Sequence, residues 1–221
     1  MGAEAGGAPP GVVGQTDRLV IQLVARVSDA IAGATLALVR RPGGDEDDRH
    51  RRLRDRCPLQ GDRAARRGEP RGELSPAELR DFIDVLRLLP ELERSGDLAE
   101  HIARRGIGSL SSEMSARSRG LVERMGEVAS AMWRTSADAY GDGALDVGAR
   151  LEERDDEMDG LHDDLAAELE EGQMTIPVVI ELNLIGRFYE RLGDHVVNLA
   201  KRVPARALSL GDLFGDPAVA R

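Results

Sequence analysis

The amino-acid sequence predicts an all-α fold of two tandem three-helix bundles related by internal duplication. Three observations carry this expectation. Apolar residues recur at helical spacing through most of the chain, the mark of helices with one buried face. No segment sustains the two-residue alternation of a half-buried strand, and aromatic residues, which sheets favour, make up only 3% of the chain. The motif Glu-Arg-x-Gly-Asp occurs at Glu93 to Asp97 and again at Glu190 to Asp194.

Residues 1–14 are Gly, Ala and Pro with little else, and are expected to be disordered. From Thr16 to Val39, the residues Leu19, Leu23, Val27 and Ile31 recur at i+4 on one helical face, and Pro42 and Gly43 stop it. Residues 49–71 then hold nine arginines and three acids, a net charge of +6. Pro58, Gly61, Gly68, Pro70 and Gly72 break this stretch, so a degenerate, partly irregular middle helix is expected there. Ser75-Pro76-Ala77-Glu78 starts the next helix, with an N-cap serine, proline at the first position and an acid in the first turn. It runs to Arg105 before Gly106, and Pro90 should kink it. A further helix covers residues 115–140, and Leu145 to Glu171 forms another, ended by Gly172. Thr175-Ile176-Pro177 opens the last helix, expected to end near Val203 ahead of Pro204. Residues 207–221 show little periodicity and are expected to form a flexible tail. The two bundles are thus expected at 15–108 and 109–206.

The chain carries 30 basic and 40 acidic residues, a formal charge of −10, which argues against general nucleic-acid binding. Cys57 is the single cysteine, so neither an intrachain disulfide nor a cysteine zinc site is available. The longest uncharged run, Ala5 to Thr16, is 12 residues, short of the roughly 20 that cross a membrane. No basic stretch precedes an apolar one at the N-terminus. A cytoplasmic protein is expected.

The duplication extends beyond the motif. Leu23, Val24 and Arg26 match Leu121, Val122 and Arg124 at an offset of 98, while the motif repeats at an offset of 97. Each half therefore holds an opening helix, a linking region and a closing helix.

Three carboxylate pairs stand at i, i+4: Glu93 with Asp97, Asp155 with Asp159, and Glu190 with Asp194. Like charges at this spacing destabilise an isolated helix by about 0.2–0.5 kcal/mol, so a repeated pair needs compensation. A neighbouring arginine such as Arg187 could supply it. So could a hard cation, which takes several oxygen ligands from clustered carboxylates. Residues 145–172 hold twelve acids and two arginines, a net charge of −10. On the last helix Leu184, Ile185, Phe188, Leu192, Val196 and Leu199 form one stripe. Glu190 and Asp194 lie opposite, beside Gly186 and Gly193, which leave room for close approach. On the acidic helix Asp155 and Asp159 flank the stripe Leu151, Met158, Leu161, Leu165 and Leu169. Four carboxylates from two helices could then converge, with His162 and His195 read as packing or surface residues. There is no GxxxxGK[ST] phosphate loop and no GxGxxG. One Asp-x-x-His, Asp159 to His162, falls short of the two Glu-x-x-His pairs of a di-iron oxidase. No catalytic residue is assigned and no enzyme is expected.

The sequence FYERLGDHVVNLAKRV at residues 188–203, with ERDDEMDGLHDDL at 153–165 and LERSGDLAEHIA at 92–103, resembles the PhoU family. These are accessory proteins of the bacterial phosphate-specific transport system. The resemblance implies two three-helix bundles and metal held on the bundle surface by E(D)xxxD motifs. Matched residue by residue, these are Glu93 and Asp97, Asp155 and Asp159, and Glu190 and Asp194. It also implies restraint of phosphate uptake and of the phosphate-starvation response, through a PstB-like transporter ATPase and a PhoR-like sensor kinase. A homodimer, peripheral to membrane complexes, is expected, with a divalent or ferric metal such as iron, manganese or magnesium. The alternative is a metal-binding helical protein of unrelated role, in storage or an undetected hydrolysis. In the first half Cys57 and Gly61 stand where Asp155 and Asp159 stand in the second, so the first metal site is expected to be weak or absent.

Overall fold

The computed structural model describes residues 12–40, 75–106, 110–142, 147–172 and 174–213; the arginine-rich stretch 49–72 lies outside them. Five long helices and one single turn account for these residues. They are α1 (Val12–Val39), α2 (Pro76–Arg105), α3 (Leu110–Glu113), α4 (Ala116–Asp142), α5 (Val147–Glu171) and α6 (Ile176–Leu213). Among the described residues there is no strand, as the sequence predicts.

The start signals act where the sequence puts them. The Ser75 carbonyl accepts from the Leu79 amide at 2.9 Å, and the Thr175 carbonyl from the Val179 amide at 3.0 Å. At the start of α4 the Ser115 hydroxyl accepts from the Ser118 amide at 2.9 Å and donates to Glu168 Oε1 of α5 at 2.7 Å. Two ends differ from expectation. Helix α1 begins at Val12, inside the segment expected to be disordered, and α6 continues through Pro204 to Leu213, into the expected tail. Neither Gly14 nor Pro204 forbids a helix. An interior glycine costs about 1 kcal/mol and a proline about 3 kcal/mol, penalties that a helix already nucleated and packed elsewhere can carry. Pro90 is passed in the same way inside α2. The single turn α3 has no periodic signal in sequence.

Helices α4, α5 and α6 pack against one another in all three pairings, a three-helix bundle. The first half does not stand apart from it. Helix α1 packs on α2 and α4, α2 packs on α6, and the buried side chains form one continuous core. The two halves meet antiparallel. The Ser28 hydroxyl of α1 donates to the Ser130 carbonyl of α4 at 2.8 Å, and two turns further along α1, Thr35 lies against Gly126. A Cβ on Gly126 would fall 2.1 Å from Thr35 Oγ1, so only glycine lets α1 and α4 approach this closely. Tyr189 of α6 is fully buried and its hydroxyl lies 2.7 Å from Thr35 Oγ1. Thr35 itself donates to the Ile31 carbonyl at 2.8 Å, so Tyr189 is the donor of that pair. Trp133 of α4, also buried, donates its indole N–H to the Leu192 carbonyl of α6 at 3.1 Å.

Residues Arg18–Val39 of α1 are long and apolar enough to cross a membrane by length and composition. In this fold Val20, Val24, Val27, Ile31, Ala34 and Leu38 of that stretch are buried in the core. The strong apolar character of α1 follows from its place between two helices, α2 and α4. At its end the Arg119 guanidinium of α4 donates to the Val39 and Ser111 carbonyls, satisfying a terminal acceptor of α1.

Candidate functional site

The acidic groove lies between α5 and α6. Helix α5 turns Val147, Leu151, Met158, Leu165 and Leu169 into the core. This leaves Asp155 and Asp159 at the edge of its contact with α6. On α6 the two glycines set the separation. A Cβ on Gly193 would fall 2.7 Å from Asp155 Oδ1, and one on Gly186 would fall 3.0 Å from both His162 Cδ2 and Leu165 Cδ2. The glycines therefore let α5 close on α6 and press the Asp155 carboxylate onto the α6 backbone.

The electrostatics of this groove are unbalanced. Burial, then the carboxylates of Asp159 and Asp194, push the Asp155 carboxyl up from 3.8 to about 6. Lys201 pulls it back only slightly and itself pairs with Glu152 at 3.4 Å. Asp159 is raised by burial and then by Glu190 and Asp194. Glu190 is divided. Its Oε1 accepts from the Arg187 guanidinium, while Oε2 is buried without a hydrogen-bond partner, 3.7 Å from His162 Nδ1. Neither Asp155 nor Asp159 has an ion-pair partner among the described residues.

The donor chemistry suits a hard cation: four carboxylates from two helices, two of them raised by burial and then by mutual repulsion, and one oxygen without a hydrogen-bond partner. The arrangement is not a finished ligand shell, because among the described residues no three His, Cys, Asp or Glu side chains stand together as a metal-holding group. Arg187 holds Glu190 turned along its own helix. Asp155, Asp159, Glu190 and Asp194 thus share one groove. Glu93 and Asp97 do not join them. They are exposed on α2, and Cys57 and Gly61, the counterparts of Asp155 and Asp159 in the repeat, lie outside the described residues.

His195 follows Asp194 but faces the other way, towards α2. Its Nδ1 lies 2.9 Å from Ser95 Oγ and its Nε2 lies 3.8 Å from Glu91 Oε2. Burial holds its pKa below the usual value. His162 packs against Gly186. Both histidines act as packing residues at helix contacts.

Two polar clusters escaped sequence reasoning. On α5, Glu157 accepts from Arg124 of α4 at 2.6 Å and from Arg154 at 2.6 Å. Burial pushes the Glu157 carboxyl up, yet these two hydrogen bonds outweigh it and hold it below its usual range. Where α2 meets α6, the Arg105 guanidinium lies 4.9 Å from the centre of the Phe188 ring, which also stacks on His101. Arg105 Nε lies 2.7 Å from Glu181 Oε2. The only signal for this second cluster was Phe188 itself, an aromatic residue in a chain with few of them.

Comparison with known proteins bears on the same residues. Residues 122–203, which hold the whole acidic groove, match the PhoU domain. The PhoU homolog 1 of Mycobacterium tuberculosis is 32% identical over 129 residues, 57% of this chain and 58% of that protein. The chain thus spans 58% of the length of this curated relative in the matched region. The PhoU homolog of Rhizobium meliloti is 28% identical over 193 residues, 84% of this chain and 78% of that protein. The crystal structure of PhoU from Pseudomonas aeruginosa aligns with a TM-score of 0.57 at 25% identity, covering 89% of this chain and 93% of that one. PhoU from Streptococcus pneumoniae, at 17% identity and a TM-score of 0.56, shares the fold. Duplicated motif, helical core and these likenesses together make the chain similar to PhoU proteins, with the PhoU domain itself matched over residues 122–203.

Proposed function

We propose that this protein is an accessory regulator of phosphate transport that restrains phosphate uptake and the phosphate-starvation response when phosphate is plentiful. It works in the cytoplasm as a homodimer, by binding a PstB-like transporter ATPase and a PhoR-like sensor kinase, without catalysing a reaction. The observation that carries this reading is the match of residues 122–203 to the PhoU domain. The likeness to phosphate-transport accessory proteins of other bacteria supports it. Deleting the gene in its host should raise alkaline phosphatase activity in phosphate-rich medium, and the intact gene should restore repression. Unchanged phosphatase activity and uptake, in a strain with no other such protein, would refute the reading.

The acidic groove is proposed to hold a divalent or ferric ion through Asp155, Asp159, Glu190 and Asp194, with iron, manganese or magnesium favoured by the all-oxygen donor set. A bound cation would supply the positive charge that the groove lacks and tie α5 to α6. Elemental analysis and calorimetry on the native protein and on Asp155→Ala/Glu190→Ala test this. Equal metal content in both would overturn it.

A further inference from the structure

We propose that His162 is a nitrogen ligand of the acidic groove, and that it turns the groove towards first-row transition metals and away from magnesium. The proposal rests on the cation site proposed above and adds to it a donor of different chemistry. His162 follows Asp159 by three residues, so the two side chains share one face of α5. Across the groove, His162 Nδ1 lies 3.7 Å from Glu190 Oε2. That is too long for a hydrogen bond, and Oε2 is buried without a hydrogen-bond partner. The other oxygen, Oε1, is held by Arg187. Glu190 is therefore fixed through one oxygen and offers the second, unsatisfied, to the imidazole.

A buried carboxylate oxygen with no donor is costly, and a metal ion between Nδ1 and Oε2 removes the cost. Two ligand atoms each about 2.1 Å from one metal stand about 3–3.4 Å apart, so this pair need close by only a few tenths of an ångström. The far edge of the ring is seated by Gly186. A Cβ there would fall 3.0 Å from His162 Cδ2 and 3.6 Å from Nε2, so a larger residue would push the ring out of its seat. This cradle decides which nitrogen meets the groove: Nε2 turns to α6 at Gly186 and Nδ1 to Glu190. The other described histidines are engaged elsewhere, His101 on the Phe188 ring and His195 beside Ser95. Asp159, His162 and Glu190 thus form a mixed nitrogen and oxygen donor set, while Asp155 lies further along the groove, against Gly193. Carboxylates alone suit magnesium, calcium and manganese, whereas an imidazole adds affinity for iron, cobalt, nickel and zinc. Of the ions favoured for the groove, iron gains from His162 and magnesium does not.

Cobalt(II) tests this in the full-length chain, purified without a histidine tag. An imidazole bound to cobalt through one nitrogen shows its other ring N–H as a proton resonance shifted far outside the ordinary range and lost in D2O. The native complex should show one such resonance. His162→Gln should abolish it and His195→Gln should keep it. By calorimetry, His162→Gln should weaken cobalt binding about tenfold or more and magnesium binding less than about twofold. Gly186→Ala, which displaces the ring without removing it, should also weaken cobalt more than magnesium. Cobalt bound without the shifted resonance, or with a resonance that survives in His162→Gln, overturns the proposal and leaves the carboxylate site standing. Equal losses of cobalt and magnesium affinity in His162→Gln would show a packing role only and overturn it too. No binding of cobalt, manganese or magnesium to the native protein would overturn the carboxylate site itself, and this proposal with it.

Discussion

Replacing Asp155 by asparagine should stabilise the metal-free protein at neutral pH. The side chain keeps its shape against Gly193 and loses its charge. In the folded protein the Asp155 carboxyl titrates at about 6, against 3.8 ordinarily. Between those values the native state holds a proton that the unfolded chain has released, so stability falls as pH rises through the window and then levels off. At about 1.36 kcal/mol per pH unit the full gap would cost about 3 kcal/mol at pH 7. Asp155 is partly exposed at the groove edge, and solvent screening reduces this to about 1 kcal/mol. In a chain of this size that is about 2–4 °C in Tm. Urea or thermal unfolding, followed by circular dichroism in excess chelator, measures it at pH 4, 5, 6 and 7. The advantage of Asp155→Asn should be near zero at pH 4 and complete by pH 7. With a binding cation present the sign should reverse, because the variant loses a ligand. A variant less stable than the native protein at pH 7 in chelator, or an advantage independent of pH, would refute the reasoning.

Gly126→Ala should destabilise the fold by about 1–3 kcal/mol in urea unfolding, because its Cβ would overlap the whole Thr35 side chain between α1 and α4. Tyr189→Phe should cost about 0.5–1.5 kcal/mol, the loss of one buried hydrogen bond to Thr35, with helix content unchanged. Gly193→Ala should change stability little in chelator, since alanine favours the helix by about 1 kcal/mol and the clash is with a movable carboxylate. The same variant should weaken cation binding measured by calorimetry, because the Asp155 carboxylate must move.

Most of the helical architecture was legible in sequence because it rests on local signals. Ser75-Pro76 and Thr175-Ile176-Pro177 start α2 and α6 at the expected positions, and Gly172 ends α5. The groove was legible for a related reason: Gly186, Glu190, Gly193 and Asp194 are fixed relative to one another by the helical period. How the halves dock was not legible. Thr35 and Tyr189 are 154 residues apart, and nothing in either segment marks them as partners. The repeat names equivalent residues, but it does not say whether equivalents or neighbours touch. The state of Glu190 was equally hidden, because the choice between Arg187, His162 and a cation is made by side-chain geometry that spacing leaves open. The end of α6 was misread because proline weakens a helix without setting a fixed limit.

The single tryptophan gives the protein a native optical gauge. Trp133 donates to the carbonyl of Leu192, and the next residue, Gly193, carries the Asp155 carboxylate against its backbone. Charge placed in the acidic groove therefore acts one peptide unit from the only indole in the molecule. Indole emission shifts with the field along its ring, and the buried, hydrogen-bonded ring has a fixed orientation in which to feel it. Filling or emptying the groove can thus be followed by intrinsic fluorescence, without a dye or an added label.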